Sequence, residues 1–270
     1  MARYDHIVCI PNWLIFDMKG EKEPMINIEK YGNELVATSI WLLAHQLYGR
    51  TDFTIRFIME DYGIDTTRKP NKEKWISFIK TLVEKDFMRF RNNVEKITID
   101  TRIQGLINDS IFSHNEEEEY IDYAILSLEK LDKIYTLPVD RIKMVCIYGL
   151  SEIMCYRNPE DCPQYTKEHR AEVFWGKAEN LAKMVNISRK TWEEYTEILK
   201  QNNILLHKSY YKGTSRHTTY GFDWENIEQG INYFVNDKKQ ENCTESLEDE
   251  KDGSDIEKDR RVIQLRRRIF

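Results

Sequence analysis

Two short stretches of the sequence concentrate the residue types that hold phosphates and reach base edges. "TTRKPNKEK" brings Thr66, Thr67, Arg68, Lys69, Asn71, Lys72 and Lys74 together, and "SRK" brings Ser188, Arg189 and Lys190. Cations neutralise phosphates, while hydroxyls and amides bond base edges or backbone oxygens. Each stretch stands at the start of a run with a tryptophan close behind: "NKEKWISFIKTLVEKDFM" from residue 71 and "ISRKTWEEYTEILKQNNIL" from residue 187. Aligned without gaps, Trp75 matches Trp192, Phe78 matches Tyr195, Leu82 matches Leu199, and Phe87-Met88 match Ile204-Leu205, all at an offset of 117 residues. A constant offset of domain length marks an internal repeat. Ile64 matches Ile187 at an offset of 123, so the first copy carries six extra residues, Asp65 to Pro70.

These residues must be positioned by helices. Trp75, Phe78, Ile79, Leu82 and Val83 fall at i, i+3, i+4, i+7 and i+8, which predicts a helix over 71–86 with one core-facing stripe. Trp75 and Trp192 both lie on such a stripe and are read as core rather than as base-stacking residues. Upstream, "HIVCIPNWLIFD" is an apolar lead-in interrupted at Pro11-Asn12. A buried helix follows with Leu35, Ile40, Leu42, Leu43 and Leu47, stopped by Gly49. "FTIRFIMEDYGI" is a short helix with Ile55, Ile58 and Met59 on one face, ended by Gly63. Behind the third helix, "FMRFRNNVEKITID" predicts two strands around an Asn92-Asn93 turn, with Met88 and Phe90 on one side and Arg89 and Arg91 on the other.

The same order recurs after residue 120. A second lead-in, "AILSLEKLDKIYTLP", precedes a long amphipathic helix, "VDRIKMVCIYGLSEIMCYRN", and a polar loop through Cys162-Pro163. "AENLAKMVNI" is the short helix with Leu181, Met184 and Val185 inward, and "ILLHKSYYKGTSRHTTYGF" is a hairpin with its turn near Gly213. Helix, helix, helix, hairpin, twice over, is the order of a winged helix-turn-helix domain. The expected organisation is a first winged-helix domain over 1–104, a linker over 105–120 with the acidic run Glu116 to Glu119, a second winged-helix domain over 121–235, and a charged tail over 236–270. The fold class is mainly α with small β-hairpin wings (α+β). The tail lacks the apolar content to fold and is expected to be disordered. Its last stretch, "RRVIQLRRRIF", mixes Val262, Ile263, Leu265, Ile269 and Phe270 with five arginines and is expected to order on a partner.

In this arrangement the third helix enters a DNA major groove and the wing meets phosphates. The first wing offers Arg89, Arg91 and Lys96; the second offers Lys208, Tyr210, Lys212, Arg216 and His217. Residues 64 to 104 hold ten Lys or Arg against six Asp or Glu, although the whole chain has a formal net charge of −6. Local charge therefore decides the partner. In the second copy Glu193, Glu194 and Glu197 follow the cations and would repel phosphates, which makes it the weaker duplex reader. Its aromatic and basic wing could instead hold a single strand by stacking, on a small platform.

Catalysis finds no motif: there is no phosphate-binding G-x-x-x-x-G-K-[ST] loop, no G-x-S-x-G and no H-E-x-x-H. Cys155, Cys162 and His169 are evenly spaced but lack the short ligand pairs of structural zinc sites, so neither metal nor cofactor is expected. Five cysteines without a C-x-x-C pair suit a reducing compartment, and no leader or membrane-length apolar run is evident. A non-enzymatic cytoplasmic protein, nucleoid- or plasmid-associated, is expected.

On "IPNWLIF", the long helix, "FTIRFIMEDYGI" and "WISFIKTLVEKDFMRF", the chain resembles the N-terminal winged-helix domain of DnaD-type replication initiation proteins and phage replisome organisers of low-GC Gram-positive bacteria. Its two-copy arrangement is similar to plasmid initiators built from tandem winged helices. The resemblance covers roughly residues 7 to 225, and the chain departs from the DnaD type after residue 235, where a charged tail stands in place of a compact helical domain. It implies a protein that binds double-stranded DNA as a plasmid or phage replication initiator, with Arg68, Lys69, Lys72, Arg189 and Lys190 on DNA. Itself, in a dimer or oligomer on DNA, and a replication or transcription protein at the tail are the further expected partners. A transcriptional regulator or segregation adaptor of the same fold, and a protein-interaction scaffold, are the alternatives.

Overall fold

The computed structural model describes residues 7–15, 24–47, 49–90, 93–112, 123–155 and 173–236. Arg91, Asn92, Cys162, His169, the acidic run 116–119 and the tail from residue 237 lie outside them. The fold is α+β, with helices and small antiparallel sheets. The described residues form two compact units, 7–155 with Met184–Asn186, and 173–183 with 187–236.

The first unit runs β1 (Ile7–Pro11), α1 (Asn12–Ile15), α2 (Ile28–Ala44), β2 (Arg50–Phe53), α3 (Ile55–Asp61), α4 (Lys69–Glu84), β3 (Met88–Phe90), β4 (Ile103–Ile107), β5 (Tyr123–Ser127), α5 (Leu128–Thr136) and α6 (Arg141–Cys155). Side-chain caps set the helix starts: Asn27 Oδ1 accepts from Glu29 N and Lys30 N, and Thr54 Oγ1 accepts from Phe57 N. Trp75, Phe78, Ile79 and Leu82 of α4 are buried on the expected stripe, with Val83 half-buried at its margin. β2, β4 and β3 form an antiparallel sheet in that order, and β1 pairs with β5 from Ile7↔Ser127 to Pro11↔Tyr123.

Several expectations are corrected. α2 ends at Ala44, not at Gly49, because His45 closes it: its backbone N–H donates to Trp41 O, and its ring stacks on the Trp41 indole at 3.8 Å. Leu47 is consequently 67% exposed. The strand expected just after Asn92-Asn93 is instead a 3-10 turn, Val94–Lys96, in which Asn93 Oδ1 accepts from Glu95 N. The partner strand of β3 is β4, so Gly105 to Ile107, assigned above to a linker, pair in the sheet. The inward alternation of Ile103, Gly105 and Ile107 is concealed in the sequence by its glycine. A Cβ at Gly105 would lie 2.6 Å from Met88 Cε and 2.7 Å from Thr51 Oγ1.

The largest departure concerns α6. The sequence suggested an amphipathic helix of a separate second domain, yet every residue from Met144 to Ser151 is buried. A helix apolar on all sides needs partners on all sides. In the first unit α6 packs with α2, where Gly149 leaves room for Ile40 and Cys146 Sγ donates to Asn33 O at 3.5 Å. The second lead-in and its helix therefore belong to the first unit.

The second unit contains β6 (Val173–Trp175), α7 (Ala178–Met184) as far as Lys183, α8 (Arg189–Gln201), β7 (Leu206–Lys212), β8 (Ser215–Gly221) and α9 (Trp224–Asn236), with sheet order β6-β8-β7. The hairpin turns at Gly213, whose φ of +64° suits glycine. Helix α9 was not foreseen. Asp223 Oδ1 caps it by accepting from Glu225 N and Asn226 N, and Ile227 and Ile231 pack with Val173 and Leu206.

Backbone details repeat at the offsets read from the sequence. Asp86 and Asn203, 117 residues apart, both take positive φ (57° and 53°) after their helices. The residues that follow close the same bond, Phe87 N to Leu82 O and Ile204 N to Leu199 O, each at 2.9 Å. Gly63 and Asn186, 123 apart, are likewise positive in φ.

Candidate nucleic-acid interface

The turn between α3 and α4 is organised by Asp65. Its Oδ1 accepts from Thr67 N at 2.8 Å and from Thr67 Oγ1 at 2.6 Å, its Oδ2 pairs with Arg68 at 3.1 Å, and its backbone O accepts from Asn71 Nδ2 at 2.9 Å. The Thr67 bonds foremost, and the Arg68 charge after them, hold the Asp65 carboxyl below the usual carboxylate range. Arg56 of α3 braces the same turn. Its Nη1 donates to Thr66 Oγ1 at 3.0 Å, and its Nε and Nη2 reach both Asp100 oxygens at 2.5 and 3.0 Å. Thr66, Thr67 and Asn71 thus build the turn. Asp65 was legible as a residue that bonds the backbone two positions on. The Arg56–Asp100 pair, 44 residues apart in sequence, had no local signal.

The six extra residues divide evenly. The offset is 123 between Asp61 and Met184 at the ends of α3 and α7, 120 between Lys69 and Arg189 at the starts of α4 and α8, and 117 between Glu84 and Gln201 at their ends. Three residues lengthen the turn and three extend α4 by roughly 4.5 Å at its N-terminal end. That extension carries Arg68 and Lys69 outward, with side chains 75% and 86% exposed. Lys69 pairs with Glu73 at 3.6 Å. Such exposed pairs are weak because water screens them, so a phosphate can displace the carboxylate. Lys72, half-buried, sits near enough to Asp100 to help hold that carboxyl low, after Arg56 as the main cause. Lys74 pairs with Glu34 and lies over the Phe78 ring, Arg89 pairs with Asp86, and Lys96 is exposed.

In the second unit Ser188 Oγ caps α8 by accepting from Thr191 N at 3.1 Å. Arg189 pairs with Glu193 at 2.8 Å, Lys190 is exposed, and Glu194 and Glu197 add negative charge to the exposed side. The hairpin has two faces. Lys208 bonds Glu228 of α9, and Tyr210, half-buried, packs against the cluster of Val173, Leu206, Ile227 and Ile231. On the other face, Tyr220 accepts from Trp192 Nε1 at 3.0 Å, and burial pushes its phenol up to about 12. Tyr211, passed over in favour of Tyr210, is the aromatic that stands 69% exposed; Lys212 is half-buried, and Arg216 is exposed with its Nη2 donating to Ser209 Oγ.

No helix among the described residues is long and apolar enough to cross a membrane. Comparison with protein-family models, with curated proteins and with solved structures gave no match to this chain.

Proposed function

We propose that this chain is a non-enzymatic double-stranded DNA-binding protein that acts as a plasmid or phage replication initiator or organiser. The run α2, β2, α3, α4, β3, β4 reads as a winged helix with α4 as the groove-entering helix, and α6, β6, α7, α8, β7, β8 repeats that order along the chain. The sheet orders β2-β4-β3 and β6-β8-β7 support this reading. The observation that carries DNA contact is the added turn at the start of α4, which projects Arg68 and Lys69 from a braced turn with Lys72 one turn behind. The replication role rests on the sequence resemblance.

The test is binding to self-derived and random duplexes across a salt series, with Arg68, Lys69 and Lys72 changed together to Ala. Loss of three phosphate contacts should lower the slope of log affinity against log salt by about three and weaken binding at every sequence. Unaltered binding would sink the assignment of α4. Footprinting then separates roles, because iterated repeats fit an initiator and a single promoter operator fits a regulator.

A further inference from the structure

Tyr211 is a large aromatic ring left in water at the tip of a hairpin whose own two strands carry no acidic side chain. Residues 206 to 221 contain Lys208, Lys212 and Arg216, two histidines, and no Asp or Glu. Tyr211 faces Arg216 directly across the ladder, so the ring and the guanidinium share one side of the sheet. Ser209, two residues back on that side, accepts from Arg216 Nη2 at 3.1 Å and lies 3.0 Å from the Thr218 hydroxyl. The result is a platform on one face of the hairpin that carries an exposed ring, a guanidinium and two hydroxyls.

We propose that this platform is a single-stranded nucleic-acid site, in which Tyr211 stacks on an unpaired base while Arg216 holds a flanking phosphate. A free ring face is what an unstacked base requires, and a closed duplex offers no such partner along its side. The acidic exposed side of α8 argues in the same direction. A duplex laid against α8 would bring phosphates to Glu193, Glu194 and Glu197, whereas a strand crossing the hairpin tip avoids them. Tyr211 lies four residues beyond His207, the neighbour of Glu197, which is about 13 Å along the strand. That exceeds the screening length of about 8 Å at physiological salt. The site does not depend on α4 reading a duplex.

The experiment measures binding of the full chain to a labelled oligothymidylate of about ten nucleotides, with the matching duplex as competitor. Tyr211→Ala should weaken single-strand binding about fivefold to a hundredfold, and Tyr211→Phe should stay within about twofold of the wild type. Arg216→Ala should lower the salt slope by about 0.7. The Arg68, Lys69, Lys72 triple variant should keep its oligothymidylate affinity, so that failure of the α4 assignment and failure of this one give different results. The proposal is overturned if Tyr211→Ala binds as the wild type does, if Tyr211→Phe falls as far as Tyr211→Ala, or if the duplex competes equally. It also falls if the triple variant loses the single strand.

Discussion

The turn-and-helix of the first unit and that of the second share a backbone but not a surface. Asp86 and Asn203 make the same left-handed exit, and Phe87 and Ile204 close the same bond. Yet α4 leads with Arg68 and Lys69 from an extra turn, whereas α8 leads with Arg189 tied to Glu193 and follows with Glu194 and Glu197. The hairpins differ in the opposite sense. β7 and β8 are long and free of acidic residues, while β3 and β4 are short, and Asp100 just before β4 holds Arg56. Repetition fixed the frame, and the two copies then placed their positive charge on different parts of it.

The interiors diverge as well. Trp75 packs on Tyr62, just after α3, and on Phe78, while Trp192 meets Tyr220 from β8. Gly105 and Tyr220 occupy the same place in their sheets, each paired with the first strand at Thr51 and Phe174 respectively. The first sheet leaves that place to Met88 and Thr51, and the second fills it with a phenol stacked on Phe174.

If the two units are separately packed, Trp75→Ala and Trp192→Ala should each cost roughly 3–5 kcal/mol. Loss of hydrogen-exchange protection should be concentrated in the unit that carries the substitution. Equal loss across both units would break the comparison. A smaller effect, about 1–3 kcal/mol in chemical denaturation, is expected of Gly105→Ala, because the new methyl meets Met88 and Thr51 where the second unit accommodates a ring. A neutral result there would mean that Met88 gives way freely.

The smallest expected effect is one of pH and belongs to the second unit. Burial, and next the Lys200 charge, hold the His207 imidazole below its usual range, with Arg216 adding to this and Glu197 opposing it. Its Nε2 lies 3.3 Å from Glu197 Oε2 without hydrogen-bond geometry. The folded unit favours neutral His207. Its contribution to stability is therefore complete above the ordinary imidazole value of about 6.5 and is lost as pH falls from there through the lowered folded value. His207→Gln should flatten that part of the melting-temperature profile below neutrality, and an unchanged profile would remove His207 as the cause.

Local periodicity made much of this molecule legible. The stripe through Trp75, the cap at Ser188 and the turn at Gly213 all follow from residues within one or two turns of each other, where side-chain direction is set by the backbone period, and the 117-residue repeat follows from matching two such local patterns. The sequence alone thus determined the repeat, both tryptophans as core, and the places where positive charge gathers. Tertiary structure decided the rest, because it depends on which distant residues meet. It drew α6 into the first unit by burying it on every side, and it concealed β4 behind a glycine that only Met88 and Thr51 explain. It turned Tyr210 inward against α9 and left Tyr211 in water. It also bound Arg56 to Asp100, 44 residues further along the chain, so that the turn ahead of Arg68 and Lys69 is braced by a contact with no local signal.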